Sequence, residues 1–328
     1  MKKLLVLPII LLFGCNQVPD FENFQKIDAH IHLETPDDSF VEIVSANSFQ
    51  LITLVTQSVS QEEIKKEYDL AKNLYEKHPA TIGFATTFSM DGFGEPDWQV
   101  KTIAWLQESF DAGAIAVKVW KDIGMTFRNE DGSLIDDPRL DPIFDFIEEQ
   151  NKTLVNHNGE PKNCWLPLQA MTVKGDSSYF ANHPEYHMYL HPDYPSYEEL
   201  LAARDRMLTK HPNLRYVGCH LGSMEWDVDE QANWLDKFPN CALDMAARIV
   251  HFKVQDREKV RNFIIKYQDQ LLYGTDIGIS YNENSIQLKE AIINNSLNIW
   301  QEDWEYFSTD NKMTQNDKVK EYQGLDLP

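Results

Sequence analysis

Cysteine is scarce in this chain. There are four among 328 residues, at positions 15, 164, 219 and 241, and no Cys-x-x-Cys pair. That excludes a disulfide framework. Basic residues are few as well, 30 Lys and Arg against 52 Asp and Glu, a formal net charge of −22. A surface of that sign repels phosphate backbones and anionic membranes, which argues against a nucleic-acid partner. No Gly-rich phosphate loop follows any strand-like run, and no internal repeat is visible. The one continuous apolar run, Leu4 to Phe13, is too short to span a bilayer as a mature helix.

What is present begins with that run. Lys2 and Lys3 precede it and Gly14-Cys15 follow it. This is the layout of a leader peptide. Leu-x-Gly-Cys looks like a bacterial lipobox, in which Cys15 is lipidated and becomes the mature N-terminus; Phe13 is bulkier than the usual residue there. Residues 1–15 are then a lipoprotein signal peptide and 16–25 a tether. The expected location is the bacterial cell envelope, anchored through Cys15 and facing the periplasm or the exterior. Several acyl chains, each burying methylenes at ~0.8 kcal/mol, suffice for a firm anchor. An ordinary cleaved signal peptide is the plainer alternative. Cys219 and Cys241 sit in apolar runs and read as buried free thiols.

The full chain is 42% hydrophobic, enough for a sizeable core. Eight short apolar runs recur: 26–32, 50–56, 81–87, 114–120, 153–157, 214–220, 242–245 and 271–276. Helical patterns separate most of them. Ser60 with Glu63, and Ser196 with Glu199, have capping-box spacing. Ile64, Tyr68, Ala71 and Tyr75 mark a buried stripe. Gly113 is a stop signal after the helix over 97–112. Strands alternating with helices predict a (β/α)8 TIM barrel of the α/β class over residues 26–310, with a doubly wound open sheet as the alternative. Residues 158–195 break the rhythm. A structureless stretch of that length is uncommon unless functional. The residues after Phe307 are polar, and 311–328 read as a surface tail.

In such barrels functional groups sit at the carboxyl ends of the strands. Those ends carry His30 and His32, then Lys118, His157, His220 and Asp276. Two histidines two apart on a strand share a face, and two imidazoles so placed can bind one metal ion. Any one of these histidines alone reads more simply as a core or surface residue. Together, at successive strand ends, they are hard to ascribe to chance.

The motifs DAHIHL (28–33), VNHNGE (155–160), VGCHLG (217–222) and YGTDIG (273–278) resemble the amidohydrolase superfamily. The similarity is to the branch that includes amino-carboxymuconate-semialdehyde decarboxylase and several lactonases. That resemblance implies the barrel, and it implies that His30, His32, His157 and Asp276 bind a divalent metal. It also makes His220 a catalytic acid/base or a second-metal ligand, and Asp276 a proton carrier. Zinc is the default metal, with Mn, Fe or Ni suited to the same donors, and one ion is expected rather than two. Lys118 stands where binuclear members carry a bridging carboxylated lysine, and where other members use a lysine to touch substrate. Relatives usually continue into a last helix, whereas this sequence stops at Gly324-Leu325-Asp326-Leu327-Pro328; either the sequence is truncated or that helix is dispensable.

Around the site, Glu160 and Lys162, just past His157, are placed to touch substrate, and Asp244 and Arg248 follow strand seven. Arg248 is read as a clamp for a substrate carboxylate, against a plain salt bridge. His183, Glu185, Tyr186, His187, Tyr189 and His191 offer a lid, and Trp120, Trp165 or Trp226 a pocket wall. The expected activity is hydrolysis of an ester, lactone or amide of a small polar substrate by a metal-activated water. Metal-dependent non-oxidative decarboxylation is the alternative, and an envelope-tethered binding protein with a degenerate site the third reading. A homo-oligomer is left open.

Overall fold

Strand β1 (Lys26–Leu33) sets the pattern for the whole sheet. Its even-numbered residues Asp28 and His30 are buried, and His32 is largely so, on one face. Ile31 and Leu33 point the other way and pack with Phe40, Val44 and Trp300. One face therefore lines a barrel interior and the other meets helices, as the two-residue period of a strand requires. The structure, a computed structural model, describes residues 20–56, 60–121, 123, 125, 134–281, 286–315 and 319–328. Cys15 and its leader lie outside the described residues. Among the described residues no helix is long and apolar enough to cross a membrane.

Seven further parallel strand positions follow: β2 (Phe49–Leu54), β3 (Ile82–Thr86), β4 (Ala116–Val119), β5 (Thr153–Asn156), β6 (Arg215–Gly218), β7 (Cys241–Asp244), and an eighth split into β8 (Leu271–Leu272) and β9 (Ile277–Ile279). Each strand pairs with the next, β8 with β7 and β9 with β1. The split strand thus closes the sheet into a (β/α)8 barrel. Between its halves the amide of Ala29 bonds the Tyr273 carbonyl at 2.9 Å, and the amide of Asp276 bonds the His30 carbonyl at 2.8 Å. The interior is filled by Leu54, Ala85, Ala116, Val155 and Cys219.

The helices are α1 (Ser39–Ala46), α2 (Gln61–Lys77), α3 (Trp98–Asp111), α4 (Asp141–Glu149), α5 (Lys174–Asn182), α6 (Tyr197–Lys210), the turn-like α7 (Cys219–Gly222), α8 (Val228–Lys237), α9 (Ile249–Phe252), α10 (Arg257–Tyr267) and α11 (Ile286–Ser308). Ser60 caps α2 by accepting the Glu63 amide, and Ser196 with Glu199 forms the full capping box of α6. Gly113, at φ +107°, ends α3 against Tyr75, whose ring leaves no room for a Cβ.

Besides the four-residue turns α7 and α9, three helices were not expected. Helix α1 is short and has no side-chain cap, so it carries no start signal. Helix α5 lies inside the stretch without rhythm. Helix α11 buries Ser296, Trp300, Asp303 and Tyr306, and two polar residues in its buried stripe blur its period. The expected polar tail also differs. Strands β10 (Lys312–Gln315) and β11 (Val319–Gln323) form an antiparallel hairpin. Leu325 is buried, and the Gly324 and Leu325 carbonyls accept from Arg257 and Arg261 of α10 at 2.7 and 3.0 Å. A handful of apolar anchors in a polar segment holds it to the barrel.

Candidate active site

The protons of the site can be assigned from its partners. His32 Nδ1 lies 2.9 Å from the Leu54 carbonyl oxygen, which only accepts. Nδ1 therefore donates, and Nε2 presents a lone pair. His220 is fixed the same way, Nδ1 donating to the Ala246 carbonyl at 2.8 Å. His30 Nδ1 donates to Asp244 Oδ2 at 2.8 Å. The bare Nε2 atoms of His30 and His32 then lie 3.2 and 3.1 Å from Asp276 Oδ1. Acceptors facing an acceptor repel unless a cation stands among them. Ligand bonds of about 2.0–2.2 Å put neighbouring ligand atoms roughly 3–3.5 Å apart, which is this spacing. The ligand atoms of His30, His220 and Asp276 all lie within 4.8 Å of one another. His157, buried, leaves its Nε2 without a hydrogen-bond partner, and its ring stands 4.3 Å from that of His220. The donor set fits a divalent cation.

Charge agrees. Burial opposes ionisation of Asp276, but the imidazoles of His220, His30 and His32 beside it outweigh burial and hold the carboxyl well below its usual range. Burial, reinforced by the nearby Lys118, pushes His157 far down. Burial likewise pushes His220 to about 3, with Asp276 opposing and Arg248 assisting. Both directions favour the neutral imidazole, the form able to bind a metal ion. Burial and Lys118 also press His30 down, yet Asp244 prevails and raises it. His30 thus seeks a cation, and protons and metal ions compete for the same atom.

The backbone is strained at this point. His220 and Leu221 have φ of 58° and 57°, and Asp276 has 66°. Such residues cost on the order of 1–3 kcal/mol each and persist only where the surroundings hold them. Here the His220 amide donates to Asp244 Oδ1 at 2.7 Å. Asp244 therefore orients two histidines at once. Its role was not assigned from sequence, although it ends strand seven as the other site residues end theirs. Asp28, buried below, accepts from Thr275 Oγ1 at 2.6 Å and Trp300 Nε1 at 3.0 Å, tying β1 to the split strand and to α11. Gly274 makes the close approach feasible: a Cβ there would stand 2.8 Å from the His30 Cβ.

Above the cluster is a cavity of about 290 Å³. It brings together His30, His32, Lys118, His157, Glu160, His220, Arg248 and Asp276. Lys118 Nζ lies 3.0 Å from Cys219 Sγ and 3.5 Å from His30 Nε2. Glu160 forms a buried ion pair with Lys121, a residue not singled out from the sequence. Arg248 lines the cavity, makes no ion pair among the described residues, and leaves its buried Nε without a partner. Lys162 points elsewhere, 3.6 Å from the Trp226 ring centre. Trp120 lines the cavity; Trp165 and Trp226 do not. The lid differs from expectation too. His183 pairs with Glu185 at the surface, and His187 and His191 donate to the Leu166 and Pro184 carbonyls. The wall comes instead from α5, through Asp176, Tyr179 and Phe180.

A family model described as amidohydrolase matches residues 93–314, well over half of the chain. The chain belongs to the amidohydrolase family, a metal-dependent family of enzymes. The match begins after β3, so His30 and His32 stand on geometry. No curated protein matches the chain. Solved structures similar to it include 2,6-dihydroxybenzoate decarboxylase from Rhizobium, at 16% identity over 85% of this chain and 99% of that one, TM-score 0.49. Dihydroorotase from Campylobacter jejuni matches at 11% identity over 92% and 93%, TM-score 0.46. 4-Oxalomesaconate hydratase from Rhodopseudomonas palustris matches at 11% over 77% and 82%, TM-score 0.44.

Proposed function

We propose that this enzyme hydrolyses an ester, lactone or amide of a small acid, using one divalent ion held by His30, His32 and Asp276 with His157 and His220 beside them. The observation that carries the reading is the convergence of two bare Nε2 atoms on one carboxylate oxygen. Zinc is the first choice for these donors, with Mn, Fe or Ni next. A bound ion of this kind supplies Lewis acidity and a water of pKa near 7 in the case of zinc. Asp276 takes the proton of the attacking water and passes it to the leaving group. His220, its Nδ1–H held by Ala246, keeps Nε2 turned to the reacting carbonyl region. Arg248, with hydrogen-bonding capacity unused, seats a substrate carboxylate.

That same arginine favours a second reading, non-oxidative decarboxylation, in which Arg248 and Lys118 hold the carboxylate that is lost. Purified full-length protein stripped with a chelator should lose activity and regain it with zinc or manganese. Proton release without carbon dioxide supports hydrolysis; carbon dioxide release overturns it in favour of the second reading. Metal analysis returning two ions per chain would make Lys118 a bridging candidate. We also propose lipid attachment at Cys15 in a bacterial envelope, for which Cys15→Ala should move the protein from the membrane to the soluble fraction.

A further inference from the structure

We propose that Asp176 reads the outer end of the substrate, selecting small acids that carry a hydrogen-bond donor, a hydroxyl or an ammonium, away from the acid group. The inference rests on the reading of the cavity as the substrate site. Asp176 sits on α5 and lines the cavity, its side chain 14% exposed. One carboxylate oxygen is occupied. Oδ2 accepts from Asn163 Nδ2 at 2.8 Å and stands 3.4 Å from His251 Nε2. Asn163 cannot turn away, because its Oδ1 accepts the Thr172 amide at 3.2 Å. The other oxygen, Oδ1, meets no donor among the described residues. A carboxylate oxygen left open on a cavity wall is available to accept from a ligand's donor, and hydrogen bonds to charged groups are the stronger kind.

Arg248 sharpens the point. It lines the same cavity and influences Asp176 electrostatically, yet the two form no ion pair. Two opposite charges that share a cavity, each with an unused polar atom, are complementary to a ligand bearing an acceptor and a donor. Lys121 and Glu160 are not available for this, being paired with each other. Tyr179 and Phe180, three and four residues along α5, present their rings on the same face and line the same space. The unused cation, the unused anion and the rings between them describe a flat acid with a polar far end. Asp176 is held below the usual carboxylate range: burial opposes ionisation, but the neighbouring His251 and Arg248 and the Asn163 hydrogen bond outweigh it.

Calorimetric titration of the zinc-loaded full chain tests this, with benzoate, 3- and 4-hydroxybenzoate and 4-(aminomethyl)benzoate as probes. At least one donor-bearing probe should bind roughly tenfold or more tighter than benzoate, the scale of a hydrogen bond to a charged group. Asp176→Ala should erase that advantage and leave benzoate affinity unchanged. Asp176→Asn, which keeps the shape, should erase it for the ammonium and reduce it for the hydroxyl. Circular dichroism of both variants should match the parent. An advantage that survives both substitutions, or no advantage in the parent, overturns the assignment of Asp176. Arg248→Gln separates the two readings. It should weaken every probe alike; if it does not while the donor preference persists, the carboxylate clamp fails and Asp176 stands. Failure of all four probes to bind the parent overturns both.

Discussion

The floor and the outer wall of the cavity are built by opposite means. The floor consists of strand ends. His30 and His32 on β1, Asp244 on β7 and Asp276 in the split eighth strand are each fixed by ladder bonds and by one another. Every polar atom of His30 and His32 has an assigned direction. The wall is a connection. Helix α5 has nine residues, no side-chain N-cap and a single buried side chain, Phe180. It is held by specific polar contacts such as Asn163 to Asp176, not by a broad apolar face. Rigid strand ends suit groups whose positions must hold to fractions of an ångström, and loops over them suit selectivity. The floor should therefore govern whether chemistry occurs, and the wall what enters.

Asp276→Ala tests the floor most severely. It removes the oxygen on which two imidazoles converge, and we expect loss of bound metal by mass spectrometry and a fall in kcat of several orders of magnitude. Retention of stoichiometric metal would break the assignment of the floor. Gly274→Ala should be next. Its methyl would meet the His30 Cβ at 2.8 Å, so β1 and the split strand must move apart. Insertions of this kind cost about 1–3 kcal/mol, and here the shift falls on a ligand, so metal affinity should drop along with melting temperature. A variant that melts lower but holds metal as tightly as the parent would show the floor to be less rigid than described.

These two tests follow the division between what was legible in the sequence and what was not. The strand ends were legible because a strand's two-residue period and a barrel's polarity together say where a side chain points. His30, His32, His157, His220 and Asp276 all lie where that logic puts them. Asp244 obeys the same rule but was named without a role, because a carboxylate that orients histidines has no spacing signature of its own. Helix α5 was illegible for another reason. Lys174–Asn182 has almost no apolar stripe, and its polar contacts are to Asn163 and His251, residues distant in sequence or in irregular turns. The histidines of 183–191 drew attention instead, and they bond to backbone carbonyls. Helix α11 hid behind Ser296 and Asp303, polar residues at buried positions.

Tyr179→Ala tests the wall. The ring is 43% exposed, so folding should be little affected. We expect KM to rise several-fold, kcat to stay within about twofold and metal content to stay unchanged, the signature of lost substrate contact without lost chemistry. A fall in kcat with unaltered KM would place the wall in the chemistry and erase the distinction.

Acid should act on the rim of β1 before it unfolds the wall. Asp37 bonds Lys289 of α11 at 2.7 Å, and hydrogen bonds from Lys289 and Ser39 lower its pKa to about 2. The folded value lies below the ordinary one near 3.9. Its contribution is therefore complete above that ordinary value and is lost as pH falls toward 2. Asp37→Asn should be slightly less stable than the parent at pH 6 and should flatten the decline in unfolding midpoint between pH 4 and pH 2. An unchanged acid profile would show that this tie between β1 and α11 carries no weight.

The smallest effect should come from Ser196→Ala, at the start of α6, where the connection from strand five rejoins regular structure. Ser196 accepts the Glu199 amide, and Glu199 accepts the Ser196 amide at 2.8 Å. Removing a cap of this kind costs roughly 1 kcal/mol, which in a chain of this size is a shift of about 2 °C in Tm. Metal content, kcat and KM should not move, because α6 contributes no group to the cavity. That outcome would show that the end of the connection is scaffold while its middle, at Asp176 and Tyr179, faces the substrate. A changed KM would mean instead that the connection moves as one piece, with strain at its end felt at α5, and the wall would then have to be treated as a single mobile element over a fixed floor.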